Sequence, residues 1–332
     1  IFSDFQKSIL RLKNEGVILC ISSKNNKEDV LEVFKKNKNM LLKINDFSSI
    51  KTNWKQKSYN IAELSKELNL GLDSFVFFDD NPMEREQIRK DMPEVTVIHP
   101  NDDISIWPQQ LFEYFEFIKF KITKEDTSKT KQYKNRLKFV REKNDNINEI
   151  AFLKKIKLNA KIISLNKSNE QRCLQIIEKT NQFNLTTKRY NLSQIRAFNL
   201  NKKNTIFMIE LNDKYGKHGL VGLIMLRKEK NFIYIDNFAM SCRVLGRYLE
   251  TWILSKVVEF AKKNKAEFII GEYISSKKNI LVKDLYKKMG FRDVKEMPNI
   301  PSNLKIFFNK NSNILIANIK NIKIKNSNIY LK

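Results

Sequence analysis

The sequence predicts an α/β protein in two parts, and three observations carry that expectation. Helix and strand patterns alternate over the first hundred residues, as βαβ units do. Within them an apolar run, Phe75–Phe78, ends abruptly in the adjacent acids Asp79 and Asp80, where open parallel sheets collect their ligands. From Ala160 the order changes to strand, two helices, three strands, long helix, strand, helix and closing strands, so a second α/β unit of different topology is expected. A chain of 332 residues has room for about two such domains.

Each element has its own signal. Phe2, Phe5, Ile9, Leu10 and Leu12 share one face of an opening helix that stops at Gly16. Val17–Ile21 reads as a strand ending in Ser22 and Ser23, and Asn26 as the cap of a helix carrying Val30, Leu31, Val33 and Phe34. A short strand is expected near Met40–Leu42, followed by a polar stretch to Lys57 and a helix around Ile61–Leu68. After the acid-ended strand, Pro82 opens a helix, and Val95–Ile98 forms one more strand closed by Pro100. Helical periodicity over Trp107–Phe117, a capping box from Thr123 to Asp126 and a basic helix over Asp126–Glu142 mark a connector.

In the second part, strands are expected at Lys161–Ser164, Ile206–Leu211, Gly219–Leu226, Phe232–Phe238 and Phe268–Gly271. Helices are expected at about Gln171–Asn181, Gln194–Phe198, Leu245–Lys262 and Ile280–Lys288. A last strand in the Asn-, Ile- and Lys-rich stretch from Asn309 runs into a frayed tail. The expected division is 1–105, a connector over 106–150, 151–320, and a tail over 321–332.

Composition narrows the classes. A net charge of +25 raises nucleic-acid binding, but the lysines are spread over the whole length and no recognition motif accompanies them. Nucleic acid is therefore not the expected partner. Three scattered cysteines and two histidines make neither a disulfide framework nor a zinc site. No apolar run approaches the ~20 residues of a membrane span, and no signal peptide is visible, so a cytoplasmic protein without a membrane partner is expected. The chain opens at Ile1, already inside a helix, which suggests a fragment whose beginning is missing.

Asp79 and Asp80, with Asn81 beside them, are oxygen donors suited to a hard cation such as Mg²⁺; their bland alternative is an N-cap and a turn residue. A phosphoryl site also needs a neutral donor and a fixed cation at neighbouring strand ends. Ser23 or Ser22 supplies the hydroxyl, and Lys57, at the start of a helix, the charge. Taken singly these are a turn residue and a solvated lysine; their order and spacing favour a site, with Ser22, Asn25 and Asn81 as further substrate contacts.

The ordered set Ser23, Lys57, Asp79–Asp80 resembles motifs two, three and four of the haloacid dehalogenase (HAD) superfamily. The wording Ser23-Lys24-Asn25-Asn26, Asn53-Trp54-Lys55-Gln56-Lys57 and the run from Gly71 to Pro82, with Glu84 and Arg85, is similar to the FkbH-like family, HAD subfamily IIIC. The resemblance implies a HAD-like Rossmannoid parallel sheet in which Ser23 contacts a phosphoryl group, Lys57 neutralises it, and Asp79 and Asp80 hold Mg²⁺. It also implies an Asp-x-Asp nucleophile loop ahead of Ile1, without which the chain as given is expected to be inactive in phosphoryl transfer.

The element order of the second part matches a GNAT-like acyltransferase. Cys242, Arg243, Gly246 and Arg247 sit where a strand gives way to the long helix, a place to bind the phosphates of CoA or phosphopantetheine. Tyr248 stands where a small residue is expected, a departure that weakens the match. Cys242 beside two arginines gains thiolate character and an acyl-carrying role; a small buried filler is its commoner use. The run 179–190 offers Asn181 and Asn184 either as substrate contacts or as local caps. His218 has no partner visible in sequence.

The FkbH-like resemblance spans the chain to about Phe291. It implies an enzyme that takes a small phosphorylated substrate, a phosphoglycerate-type acyl phosphate, removes the phosphate and loads the acyl unit onto an acyl carrier protein in polyketide-type biosynthesis. The alternatives are an N-acyltransferase with a vestigial first half and a basic binding module.

Overall fold

The computed structural model describes residues 2–118, 122–296 and 312–331 and has the α/β class expected for both parts. It divides into two compact units, 1–145 and 146–332.

In the first unit, α1 (Phe2–Asn14), β1 (Leu19–Ser23), α2 (Lys27–Lys36), β2 (Phe47–Thr52), α3 (Lys57–Leu68), β3 (Val76–Phe77), α4 (Pro82–Asp91) and β4 (Thr96–Val97) alternate. β1 pairs parallel with β2, and β3 parallel with β4. The strand expected near Met40–Leu42 is absent; the partner of β1 is Phe47–Thr52 instead. Its mixed sequence hid it: Phe47, Ser48 and Ser49 are all buried, so burial follows pairing rather than alternation.

The expected connector belongs to this unit. α5 (Trp107–Glu113) places Leu111 against Leu12 and Ile98, and α7 (Lys129–Asn144), after the short α6 (Lys124–Thr127), buries Tyr133 and Leu137 against Leu68. Cys20 lies against that last cluster, as a core residue would.

The second unit opens with α8 (Glu149–Lys155) and carries a seven-stranded sheet. Its strands are β5 (Asn159–Ser164), β6 (Asn204–Asp213), β7 (Gly216–Lys228), β8 (Phe232–Met240), β9 (Phe268–Ile274), β10 (Arg292–Asp293) and β11 (Ser312–Asn318). Their order is β10-β11-β9-β8-β7-β6-β5, antiparallel except for β8 and β9. Residues 309–311, where the last strand was expected to begin, lie outside the described residues.

α9 (Glu170–Lys179) and α10 (Leu192–Leu200) cover the sheet with Cys173, Ile176, Ile177, Ile195 and Phe198. Burial pushes the Cys173 thiol up to about 12, which fits a core filler. α11 (Leu249–Lys263) buries a stripe of Leu249, Trp252, Ile253, Val257 and Ala261. Each large apolar side chain so buried contributes roughly 1.5–3 kcal/mol. α11 starts four residues later than the sequence suggested, because Gly246 (φ +85°) and Tyr248 (φ +55°) lie in the left-handed region. The helix expected over Ile280–Lys288 shrinks to a 3₁₀ turn and the single turn α12 (Leu285–Lys288). The expected tail is docked: Ile329 and Tyr330 are buried, and the Tyr330 hydroxyl donates to the Arg247 carbonyl at 3.0 Å.

β8 and β9 pair only from Phe232↔Phe268 to Ile235↔Gly271. Beyond that point Phe183–Leu185 bridges them: Met240 N donates to Phe183 O (2.9 Å), Leu185 N to Phe238 O (3.1 Å) and Ile274 N to Leu185 O (2.9 Å). Gly271 is required where it stands. A Cβ there would lie 2.5 Å from the buried Tyr286 ring. Gly271→Ala is expected to cost about 3 kcal/mol by overpacking, seen as a lower urea midpoint; an unchanged midpoint would mean that the ring steps aside.

Candidate functional site

Parallel strands leave their carboxyl ends on one edge, so loops far apart in sequence can meet there. In the first unit three of them do. Lys57, the first residue of α3, contacts Asp79, just past β3, with Nζ 2.5 Å from Oδ2; the side chains are only 13% and 9% exposed. One turn along α3, the fully buried Asn60 donates to Ser22 Oγ at 3.3 Å and accepts from Asn53 at 3.0 Å. The hydroxyl tied to this network is therefore Ser22, whereas Ser23 supplies its carbonyl to Asn53 N at 3.1 Å. Neighbouring strand residues point to opposite sides, a choice that the sequence left open.

The β3–α4 turn is fixed by its own polar groups. Asn81 caps α4 by accepting from Met83 N (2.9 Å), and its own N–H donates to Asp79 Oδ1 (3.0 Å). The buried Arg85 donates to the carbonyls of both Asp79 and Asp80 at 2.8 Å, so it sets the turn that presents the acids. Asp80 and Asn25 are exposed, and Asn25 Oδ1 accepts from Asn26 N at 2.8 Å. Lys24–Glu84 (2.6 Å) and Trp54–Asn26 (3.2 Å) fasten the surrounding loops together. Asn60 and the pairing of Glu84 with Lys24 escaped sequence reasoning because their partners lie far away in the chain, whereas Arg85, noted there beside Glu84, turns to the nearby carbonyls of Asp79 and Asp80.

Among the described residues no three His, Cys, Asp or Glu side chains cluster tightly enough for a metal cage. Two neighbouring carboxylates nevertheless fit Mg²⁺, which is commonly held by one or two acids, with water and substrate phosphate completing the shell. Asp79 and Asp80 would be the ligands.

The 241–248 loop of the second unit departs from expectation. Arg247 is 0% exposed, its Nε 2.8 Å from Asp213 Oδ2, and the same carboxylate meets His218 Nε2 at 2.9 Å. Arg243, also buried, donates to the His218 carbonyl (2.9 Å) and to Ser241 Oγ (3.3 Å). Both guanidiniums are directed into the protein, so these two arginines do not fit a role holding the phosphates of CoA or phosphopantetheine. Gly246 serves the turn's geometry. Cys242 is half-buried and begins a 3₁₀ turn seven residues before α11, so it does not stand at that helix's N-terminus. His218 does have a partner, Asp213. Asn184, fully buried, accepts from Thr187 N at 2.9 Å and donates to Thr180 O at 3.3 Å. Asn181 accepts from Arg189 at 2.6 Å. The local-cap alternative therefore describes Asn184, and no observation assigns either amide a ligand.

Missed altogether were Asp236 and Glu272, buried acids inside the apolar strands β8 and β9. The signal was legible: a charge within an otherwise apolar strand must find a partner.

No helix among the described residues is long and apolar enough to cross a membrane. No family model and no curated protein matches the chain. Among solved structures, the chain is similar to the N-terminal part of the protein BF1531 from Bacteroides fragilis, which contains a phosphatase domain complexed with Mg. The two are 38% identical, over 35% of this chain and 31% of that one, with a TM-score of 0.34. The match thus spans about a third of that relative's length. It is also similar to a GNAT-family acetyltransferase from Staphylococcus aureus (18% identity, 48% of this chain, 99% of that one, TM-score 0.38). The ribosomal-protein-S18-alanine N-acetyltransferase from Escherichia coli is a further match, at 13% identity over 48% of this chain and 94% of that one, with a TM-score of 0.37.

Proposed function

We propose that the first unit binds a phosphorylated substrate with Mg²⁺ for phosphoryl chemistry of the HAD type, and that the second handles the acyl group. The observation that carries this reading is the Lys57–Asp79 contact, with Asn60, one turn along the same helix α3, bonded to Ser22. Lys57 neutralises a phosphoryl oxygen, the Ser22 hydroxyl donates to another, and the first amides of α3 favour the anion. Asp79 and Asp80 hold the cation, with Arg85 fixing their turn. When bound, Mg²⁺ polarises a phosphoryl oxygen as a Lewis acid.

In its finer form the proposal is an FkbH-like enzyme that dephosphorylates a phosphoglycerate-type acyl phosphate and charges an acyl carrier protein. The sequence runs at 23–26, 53–57 and 71–85 support that form.

Calorimetric titration with inorganic phosphate, with and without Mg²⁺, tests the site. Binding is expected to need Mg²⁺ and to weaken by about tenfold or more in Asp79→Asn and Lys57→Met, as loss of a charged hydrogen bond implies. Phosphate binding indifferent to the metal and to both substitutions overturns the proposal. For the finer form, the measurement is binding of the chain to a phosphoglycerate and to an acyl carrier protein; binding of neither removes it.

A further inference from the structure

Lys57 and a metal ion compete for one carboxylate. Asp79 accepts from Asn81 N through Oδ1 at 3.0 Å and meets Lys57 Nζ through Oδ2 at 2.5 Å, so each of its oxygens already has a donor. Neither contact is loose. Asn81 caps α4, Lys57 opens α3, and both charged side chains are nearly enclosed. Solvent therefore screens the Lys57–Asp79 pair far less than it screens a surface pair.

A second cation brought to the same acid adds repulsion. An ammonium and a Mg²⁺ ion on one carboxylate stand a few ångströms apart, and like charges so close in a poorly hydrated place repel strongly. Lys57 relieves this by leaving Asp79 for another anion, which its flexible stem allows without a movement of α3. The neighbouring cations do not take its place. Arg85 is buried on the carbonyls of Asp79 and Asp80, and Lys24 is paired with Glu84. Asp80 is exposed, so water weakens its own hold on a metal.

We propose that Lys57 is an internal counter-ion that holds Mg²⁺ off Asp79 until a phosphoryl group draws the ammonium away, so that metal and substrate bind together. This inference rests on the phosphoryl reading of the first unit and adds to it a control of the metal by the substrate. Linkage makes the coupling reciprocal: whatever factor phosphate adds to the affinity for Mg²⁺, Mg²⁺ adds to the affinity for phosphate. Lys57 thus has two opposed effects, strengthening phosphate and weakening the metal alone. A lysine that served only to hold Asp79 in place would strengthen the metal, and its removal would weaken Mg²⁺ binding.

Calorimetric titration of the intact chain with Mg²⁺, in phosphate-free buffer and at saturating inorganic phosphate, tests the proposal. Lys57→Ala, which leaves room for the ion and its water, is expected to bind Mg²⁺ alone about tenfold more tightly than the parent. Lys57→Arg, which keeps the charge, is expected to show no such gain. Phosphate should tighten Mg²⁺ binding more in the parent than in Lys57→Ala. Should Lys57→Ala be unfolded in metal-free buffer, Mg²⁺ is expected to restore its circular dichroism, while Lys57→Ala/Asp79→Asn, which lacks the ligand, is expected not to respond. Mg²⁺ affinity in Lys57→Ala no higher than in the parent, an equal gain in Lys57→Arg, or an unfolded Lys57→Ala that Mg²⁺ does not rescue overturns the proposal. A parent protein that binds neither ion in any combination overturns the phosphoryl reading itself.

Discussion

Arg247→Met is expected to destabilise the second unit by about 3–5 kcal/mol, the cost of stranding a buried charge. Arg247 and Asp213 are both fully enclosed, and the 2.8 Å contact between them compensates each charge. Burial alone would raise the Asp213 carboxyl; His218 and Arg247 outweigh it and hold that carboxyl below its usual range. Without Arg247 this balance is lost, and the 241–248 loop loses its anchor. Urea denaturation measures the change. The double variant Asp213→Asn/Arg247→Met, which leaves no lone charge, should lose less than the sum of the two single changes. Equal stability of Arg247→Met and the parent protein would show that the pair contributes nothing.

The same cluster sets a pH dependence. Burial holds the His218 imidazole below its ordinary value of about 6.5, with Asp213 opposing and Arg247 reinforcing the shift. Below about pH 6.5 the unfolded chain therefore binds a proton that the folded one resists, and stability falls with falling pH. Asp213 acts in a lower window: its contribution is present above the unfolded value of about 3.9 and is lost as pH drops through its depressed folded value. His218→Gln should flatten the upper window and leave the lower one. A parent protein whose stability is constant from pH 7 to 5 would contradict the first assignment.

Lys57→Met is expected to have the second large effect, about 2–3 kcal/mol, since Asp79 would keep its charge in a nearly enclosed position. Asp79→Asn should cost less, because the amide still accepts from Asn81 N while the flexible lysine can reach water. The double variant should show strong non-additivity by a denaturation cycle. Additive losses would mean that the two side chains do not form the working pair described for the phosphoryl site.

How much was legible follows from where the information lies. The acid-ended strand, the helix opened by Pro82 and the lysine opening α3 are local patterns, written within a few consecutive residues. β2 was missed because Phe47–Thr52 has the polar composition of an edge strand, and only its parallel pairing with β1 declares it. The basic helix that reads as a connector is a core element, since Tyr133 and Leu137 find Leu68 some seventy residues away.

The sequence by itself determined the α/β alternation and the ordered Ser, Lys, Asp-Asp set. Strand ends are where such residues gather, but β1–β2 and β3–β4 pair separately, and it is α3, through Lys57 and Asn60, that joins their ends. Only the tertiary structure decided which serine joins the network, that Arg243 and Arg247 turn inward, and that Lys188 and Arg227 gather around Asp236 and Glu272. These are pairings between side chains remote in sequence. Their free energy depends on burial and exact distance, neither of which leaves a local trace in the order of residues.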